Sequence, residues 1–311
     1  MVARGDHLQA IRDKGLCIEK LDGTVMAAGD LRAVDSVSAL EVQDVVIISL
    51  KAHQIPALAP SLRQVIGPST LVLPLQNGIP WWYFQKLEGR LASRRLESVD
   101  PGGVIAENIP VGNVIGCVTW GAYDITRPGV VHNEDQPKDR FPIGELDGSM
   151  SSRLLRLSEV LQAARIRAPV TASIRTEKWI KAWGNLAVNP IGALSHAPLG
   201  EIYAFTPTRK LAAEMMLEAL AVARSIGVEI PVSLESRLSR AAELGEVASS
   251  TQRDVEAGRP LEVDALVGAV VEIGEITGVD TPMLRGLYAC TKLLDRMIVQ
   301  RRMSYPGVPV A

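Results

Sequence analysis

The chain has 311 residues, 47% of them hydrophobic, and a formal net charge of −2. That length suits two domains of ordinary size, while scattered Lys and Arg in a near-neutral balance give no electrostatic footprint for nucleic acid. Three dispersed cysteines and four dispersed histidines offer neither a disulfide framework nor metal-ligand spacing, and no signal core or membrane-length apolar run is present, so a cytoplasmic protein with no metal and no membrane partner is expected.

Asp44–Leu50 reads Asp-Val-Val-Ile-Ile-Ser-Leu, a β-branched run that predicts a parallel strand buried on both faces. A helix follows over His53–Ile66, stopped by Gly67-Pro68. Thr70–Leu75 is a second buried strand, ending in Gln76-Asn77-Gly78, and Asn113–Thr119 is a third. Val130-Val131-His132 and Phe141-Pro142-Ile143-Gly144 read as short strands that a hairpin would pair. Strands alternating with helices predict an α/β fold with a doubly wound parallel sheet.

Beyond about residue 150 the β signal fades. Ser152–Ala164 has helical periodicity, and Ala168–Ala172 reads as a last strand. From Ile174 nearly everything is helical. Thr206-Pro207 and Thr281-Pro282 each place an N-cap residue before a helix-initiating proline, and Gly227 and Gly278 are C-terminal stops. Apolar residues at 263, 266, 267, 270 and 271 mark a helix over Leu261–Ile276. The boundary falls near residue 172, giving an α/β domain over 1–172 and an all-α domain over 173–311.

The stretch Lys-Trp-Ile-Lys-Ala-Trp-Gly-Asn-Leu-Ala-Val-Asn, Lys178–Asn189, is the densest in chemistry. On a helix, Lys181, Asn185 and Asn189 stack along one stripe. Taken alone, that spacing fits a solvated face. A cationic donor beside two amides on an otherwise apolar helix also suits a buried cleft for a small molecule bearing a carbonyl and hydroxyls. Open α/β sheets bind ligands outside the carboxyl ends of their strands, and Lys51 and Asn77 fall there. Lys51 suits a phosphate or a ribose; Asn77-Gly78 is otherwise a plain turn. Ser250 lies in Ser249-Ser250-Thr251. Glu262, after the breaker Gly258-Arg259-Pro260, falls in the first turn of the next helix, where a carboxylate is also favoured by the macrodipole.

These segments together resemble the ketopantoate reductase family. The resemblance rests on Glu177-Lys178-Trp179-Ile180-Lys181 with Asn185 and Asn189-Pro190, on Gln76-Asn77-Gly78, and on Gly258-Arg259-Pro260-Leu261-Glu262-Val263-Asp264. Arg95–Gly103 and Ile115-Gly116-Cys117-Val118 are similar to a common bacterial branch. It runs from about Val2 to about Leu294. It implies a Rossmann-like NADP-binding domain and a helical domain, with the active site between them. It also implies hydride transfer from NADPH to the C2 keto group of 2-dehydropantoate, giving pantoate for pantothenate and coenzyme A synthesis. By motif position, Lys181 resembles the catalytic proton donor. Asn77, Asn185, Asn189 and Ser250 join it as substrate contacts, Ser250 at the carboxylate end. Arg4, Lys51, Asn77, Ala122 and Glu262 resemble contacts to NADP(H), with Arg4 at the 2′-phosphate, where an arginine replaces the acidic residue of NAD enzymes.

Three departures bear on this. The family's Gly-x-Gly-x-x-Gly fingerprint is not at the start of this sequence. The resemblance begins at the end of the family's second strand, so a first strand, glycine loop and first helix, about 20–30 residues, are expected to be missing from an N-terminally truncated sheet. Thr251-Gln252-Arg253 is more polar than the family's usual residues after the serine, and Leu199 stands where some members carry an asparagine. Two further readings follow: a reductase of another 2-keto acid, or a non-catalytic remnant serving as an interaction module. The sequence leaves oligomeric state open, a homodimer included. Trp81-Trp82 is read as core packing.

Overall fold

Residues 1–133, 139–242 and 245–301 are described by the computed structural model. Contacts divide the chain into two units. The first comprises Met1–Ser49, Ala57–Leu75 and Val104–Ile174; the second comprises Leu50–Pro56, Gln76–Gly103 and the residues from Arg175 onward. The chain thus visits the second unit twice before residue 175. Each visit begins just past the end of a strand, at Leu50 and at Gln76.

In chain order the α/β half runs through α1 (Gly5–Lys14), β1 (Leu16–Lys20), β2 (Val25–Ala28), β3 (Gln43–Ile48) and α2 (Ile55–Leu62). It continues through β4 (Ile66–Pro74), α3 (Val104–Asn108), β5 (Gly116–Cys117), β6 (Tyr123–Arg127), β7 (Val130–Asn133), β8 (Ile143–Gly144) and α4 (Ser152–Ala163). β3 and β4 pair in parallel. Val72 of β4 bridges Val114 in parallel, β5 pairs antiparallel with β8, and Ile143 of β8 bridges Val170 in parallel. Leu73, Ile115, Cys117 and Ile143 from these strands pack on Leu154 and Leu157 of α4 in one core cluster. A second sheet has the order β2-β1-β7-β6.

Several expectations change here. β3 pairs with β4 alone among the described residues, so one edge is open and Ile47 is 50% exposed; the strand is not buried on both faces. Helical turns end at Val65, just ahead of Gly67-Pro68. Those two residues lie inside β4, whose register against β3 shifts between Gln43 and Val45, an irregularity that accommodates a proline's missing N–H. β7 forms no hairpin with β8, because its two edges are taken by β1 and β6. α1, β1 and β2 went unread in the sequence.

The helical half contains α5 (Ile174–Ser195), α6 (Leu199–Ala204), α7 (Thr206–Ser225), α8 (Leu234–Ala242), α9 (Ser250–Glu256), α10 (Ala269–Thr277) and α11 (Pro282–Arg301). Phe205, not Thr206, is the N-cap of α7, with Pro207 in its first turn, a one-residue difference of the kind helix ends show. Gly278 closes α10 in the left-handed conformation. A π-helical turn, Asp264–Gly268, precedes α10. Glu262 therefore precedes the helical segment instead of lying in its first turn. No helix among the described residues is long and apolar enough to cross a membrane.

Candidate active site

α5 builds the centre. Its apolar residues Ala182, Leu186, Ala187 and Val188 are buried, and that burial carries the polar stripe inward with them. Asn189 is only 4% exposed and Lys181 and Asn185 are half-buried, which removes the solvated-face reading. Lys181 Nζ donates to Asn77 Oδ1 at 2.7 Å. Asn77 Nδ2 in turn approaches Glu262 Oε2 at 3.5 Å, and Glu262 Oε1 accepts from the Ala52 backbone N–H at 2.9 Å. Four separated segments, around Ala52, Asn77, Lys181 and Glu262, are thereby joined in one polar chain.

The loop bearing Asn77 is held tightly to α5. Arg175 Nε donates to Tyr83 O (2.7 Å) and its Nη2 to Gln85 O (2.6 Å). Lys178 Nζ donates to Gln76 O (2.6 Å), and Trp179 Nε1 donates to the Tyr83 hydroxyl (2.6 Å). Burial pushes the Tyr83 phenol well above its usual range, so it stays neutral. Trp82 and Phe84 are fully buried and Trp81 is 4% exposed, so the tryptophan pair packs inside the second unit. Gly78 has φ +75°, and a Cβ there would overlap the Ala265 carbonyl, to which the Ile79 N–H donates at 2.8 Å. This turn needs glycine on both counts. Its acceptor lies in the π-helical turn, where departure from α-helical bonding redirects backbone groups; such turns recur at functional sites.

Lys51 forms an ion pair with Asp254 of α9, whose other oxygen accepts from Arg259 Nε at 2.9 Å. Asp254 is 4% exposed, so two cations neutralise one buried carboxylate. Gln76 Nε2 donates to Leu50 O at 2.9 Å, tying the Asn77 loop to the residue before Lys51. Ser250 is the first residue of α9 and is exposed; the buried Ser249 caps that helix by accepting from Gln252 N. His53, beside Ala52, shares a pocket of about 120 Å³ with Ser98, Glu262 and Asp264. Burial holds its pKa below the usual value; Glu262, Asp295 and Asp254 pull upward and Lys51 downward.

The remaining expected residues belong to the first unit. Arg4 is exposed at the N-cap of α1, directly after Val2 and Ala3, which pair with Val34. Ala122 precedes β6, and its carbonyl accepts from Asn133 Nδ2 at 3.4 Å. Sequence reasoning missed Arg175, Lys178, Asp254 and His53. Lys178 carried a signal: a second lysine three residues before Lys181 on an apolar helix.

The donor set suits a nicotinamide nucleotide at its ribose end. Lys51 and Asn77 offer donors and Glu262 a carboxylate acceptor for hydroxyls. A glycine-rich phosphate cradle is not among the residues of this sequence. An ammonium fixed by an amide can stabilise charge building on a carbonyl oxygen and supply a proton to it.

Comparison with known proteins bears on both halves. The family model for ketopantoate reductase PanE/ApbA matches residues 1–148, and its C-terminal counterpart matches 173–295. A 2-dehydropantoate 2-reductase from Mesorhizobium japonicum is 40% identical over 301 residues, covering 97% of this chain and 90% of that protein. A Ralstonia solanacearum crystal structure assigned as a ketopantoate reductase superposes with a TM-score of 0.89 at 34% identity, covering 96% of this chain and 90% of that one. D-mandelate dehydrogenase, solved with NADH and anilino(oxo)acetate, shares the fold at a TM-score of 0.78 and 20% identity, covering 94% and 89%.

Proposed function

We propose a function from one premise: the chain belongs to the ketopantoate reductase family. The family makes it an oxidoreductase that uses a nicotinamide cofactor and acts on a keto acid. The finer reading is reduction of 2-dehydropantoate at its C2 keto group, with NADPH as donor and pantoate, a pantothenate precursor, as product. Lys51, Asn77 and Glu262 would hold the nicotinamide ribose side, and Arg4 and Ala122 are the contacts assigned to the first unit, Arg4 to the 2′-phosphate. NADPH, when bound, supplies the hydride.

The observation that carries this reading is the Lys181–Asn77 bond. Reduction of a ketone builds negative charge on oxygen, and an ammonium at that oxygen offsets the charge and gives up a proton. Asn77 orients Lys181 without competing for its proton, because an amide does not titrate in this range. Asn185 and Asn189 follow at successive turns of α5 and would bind the substrate's hydroxyls, with Ser250 at its carboxylate end.

A second reading, reduction of a different 2-keto acid, is favoured by the polar residues after Ser250. Thr251 and Gln252 are 4% and 5% exposed and Arg253 is half-buried, so much of that polarity is taken out of solvent. Initial rates of NADPH oxidation with a panel of 2-keto acids decide between them. Ketopantoate among the better substrates is the expected result. Its absence from them transfers the assignment to the second reading. Equal use of NADH and NADPH removes Arg4 from the 2′-phosphate role. A chain that binds neither nucleotide nor keto acid would instead fit the non-catalytic reading.

A further inference from the structure

We infer that Lys178 is a positioning residue, which sets Asn77, and through it the proton donor Lys181, by holding the Gln76 carbonyl. The inference rests on the role proposed above for Lys181. Lys178 is 3% exposed, and an ammonium at that depth costs free energy that a methionine of similar volume would not. Packing alone does not account for it. Its Nζ donates to Gln76 O at 2.6 Å. The Gln76 carbonyl and the Asn77 N–H share one planar peptide unit, so fixing that oxygen fixes the plane from which Asn77 projects.

The far side of Asn77 is fixed by the Ile79 N–H on Ala265 O, a bond that needs the loop seated as Lys178 holds it. Asn77 is therefore clamped before and after, and its Oδ1 is presented to Lys181. Arg175, Lys178 and Lys181 lie three residues apart along α5. Each bonds the same loop, at Tyr83 and Gln85, at Gln76 and at Asn77 respectively. The outer two hold the loop's far end and the side-chain amide. The middle one holds the backbone immediately before Asn77.

Lys178→Met and Lys178→Arg in the full chain test this, with kinetics on ketopantoate and NADPH and amide hydrogen exchange as readouts. For Lys178→Met, kcat should fall about tenfold or more, the scale of a misplaced catalytic group. The KM for NADPH should stay within about twofold of the parent, an expectation that follows from a loss confined to the proton donor. Exchange at Ile79 should speed up while α7 keeps its protection. Lys178→Arg, which restores a buried donor, should recover a large part of kcat. A folded Lys178→Met with unchanged kcat, or unchanged exchange at Ile79, overturns the inference. If Lys178→Met fails to fold, Lys178→Arg decides it: recovered exchange protection at Ile79 with parent-like kcat supports the role, and protection with kcat lost contradicts it. A parent chain that reduces no 2-keto acid sinks the catalytic reading, and Ile79 exchange alone still judges whether Lys178 sets the loop.

Discussion

At the scale of single residues, Lys181 and Gly78 make opposite demands on the same turn. In the proposed role Lys181 acts through its charge, so Lys181→Ala should lower kcat by ~10²-fold or more, the usual scale for a general acid, with the melting temperature little altered. A rate equal to the parent's would take Lys181 out of the chemistry. Gly78 acts through having no side chain. Gly78→Ala would force a left-handed φ on alanine and push a methyl into the Ala265 carbonyl. Loss of about 1–3 kcal/mol is expected for such strain, read by urea denaturation. An undisturbed midpoint would mean that the turn relaxes freely.

Elements explain why the polar stripe became buried. The Lys181–Asn185–Asn189 spacing was legible, since a four-residue repeat fixes a helix face. Its environment was not, because nothing local shows what meets that face; at Lys181 it is Asn77, about a hundred positions upstream. α11 does similar service for Glu262. Asp295 accepts from the Leu261 N–H at 2.9 Å, and Tyr288 and Lys292 both donate to Asp264 at 2.7 and 2.6 Å. The turn Ala52–Gln54 contributes the pH-sensitive group. His53 has its pKa lowered on folding, chiefly by burial, so its contribution to stability is complete above its unfolded value and is lost as pH falls through the folded one. Melting temperature should therefore drop more steeply between pH 7 and pH 5 in the parent than in His53→Gln. Parallel curves would show that His53 is not among the acid-sensitive groups.

For the molecule as a whole, alternation of strands and helices gave the fold class, β3 and α4 close to their observed limits and the start of α5, while β4 begins four residues earlier than expected. β1 and β2 escaped because their burial is shallow: β1 is half-buried throughout and β2 exposed throughout, so neither shows a two-residue hydrophobic alternation. The open edge of β3 has a consequence for handling the protein. Among the described residues β3 has one edge without a partner strand, and such an edge with a half-exposed isoleucine is a template for pairing with another chain. Ile47→Lys should reduce light scattering on concentration while leaving the melting temperature within a few degrees, as surface changes usually do. Scattering that persists would place the sticky surface elsewhere.

The clamp between α5 and the Asn77 loop also dictates when the site can form. Its bonds join residues 92, 102 and 104 positions apart in sequence, and much of the intervening chain belongs to the first unit. Closing so long a loop carries an entropic cost that local helix formation does not share. During refolding, helices of the second unit can gather before residues 76–85 arrive, and at that stage Lys181 has no Asn77 to hold it. The Lys181–Asn77 contact is therefore expected to form late in folding, when two distant stretches of chain have met.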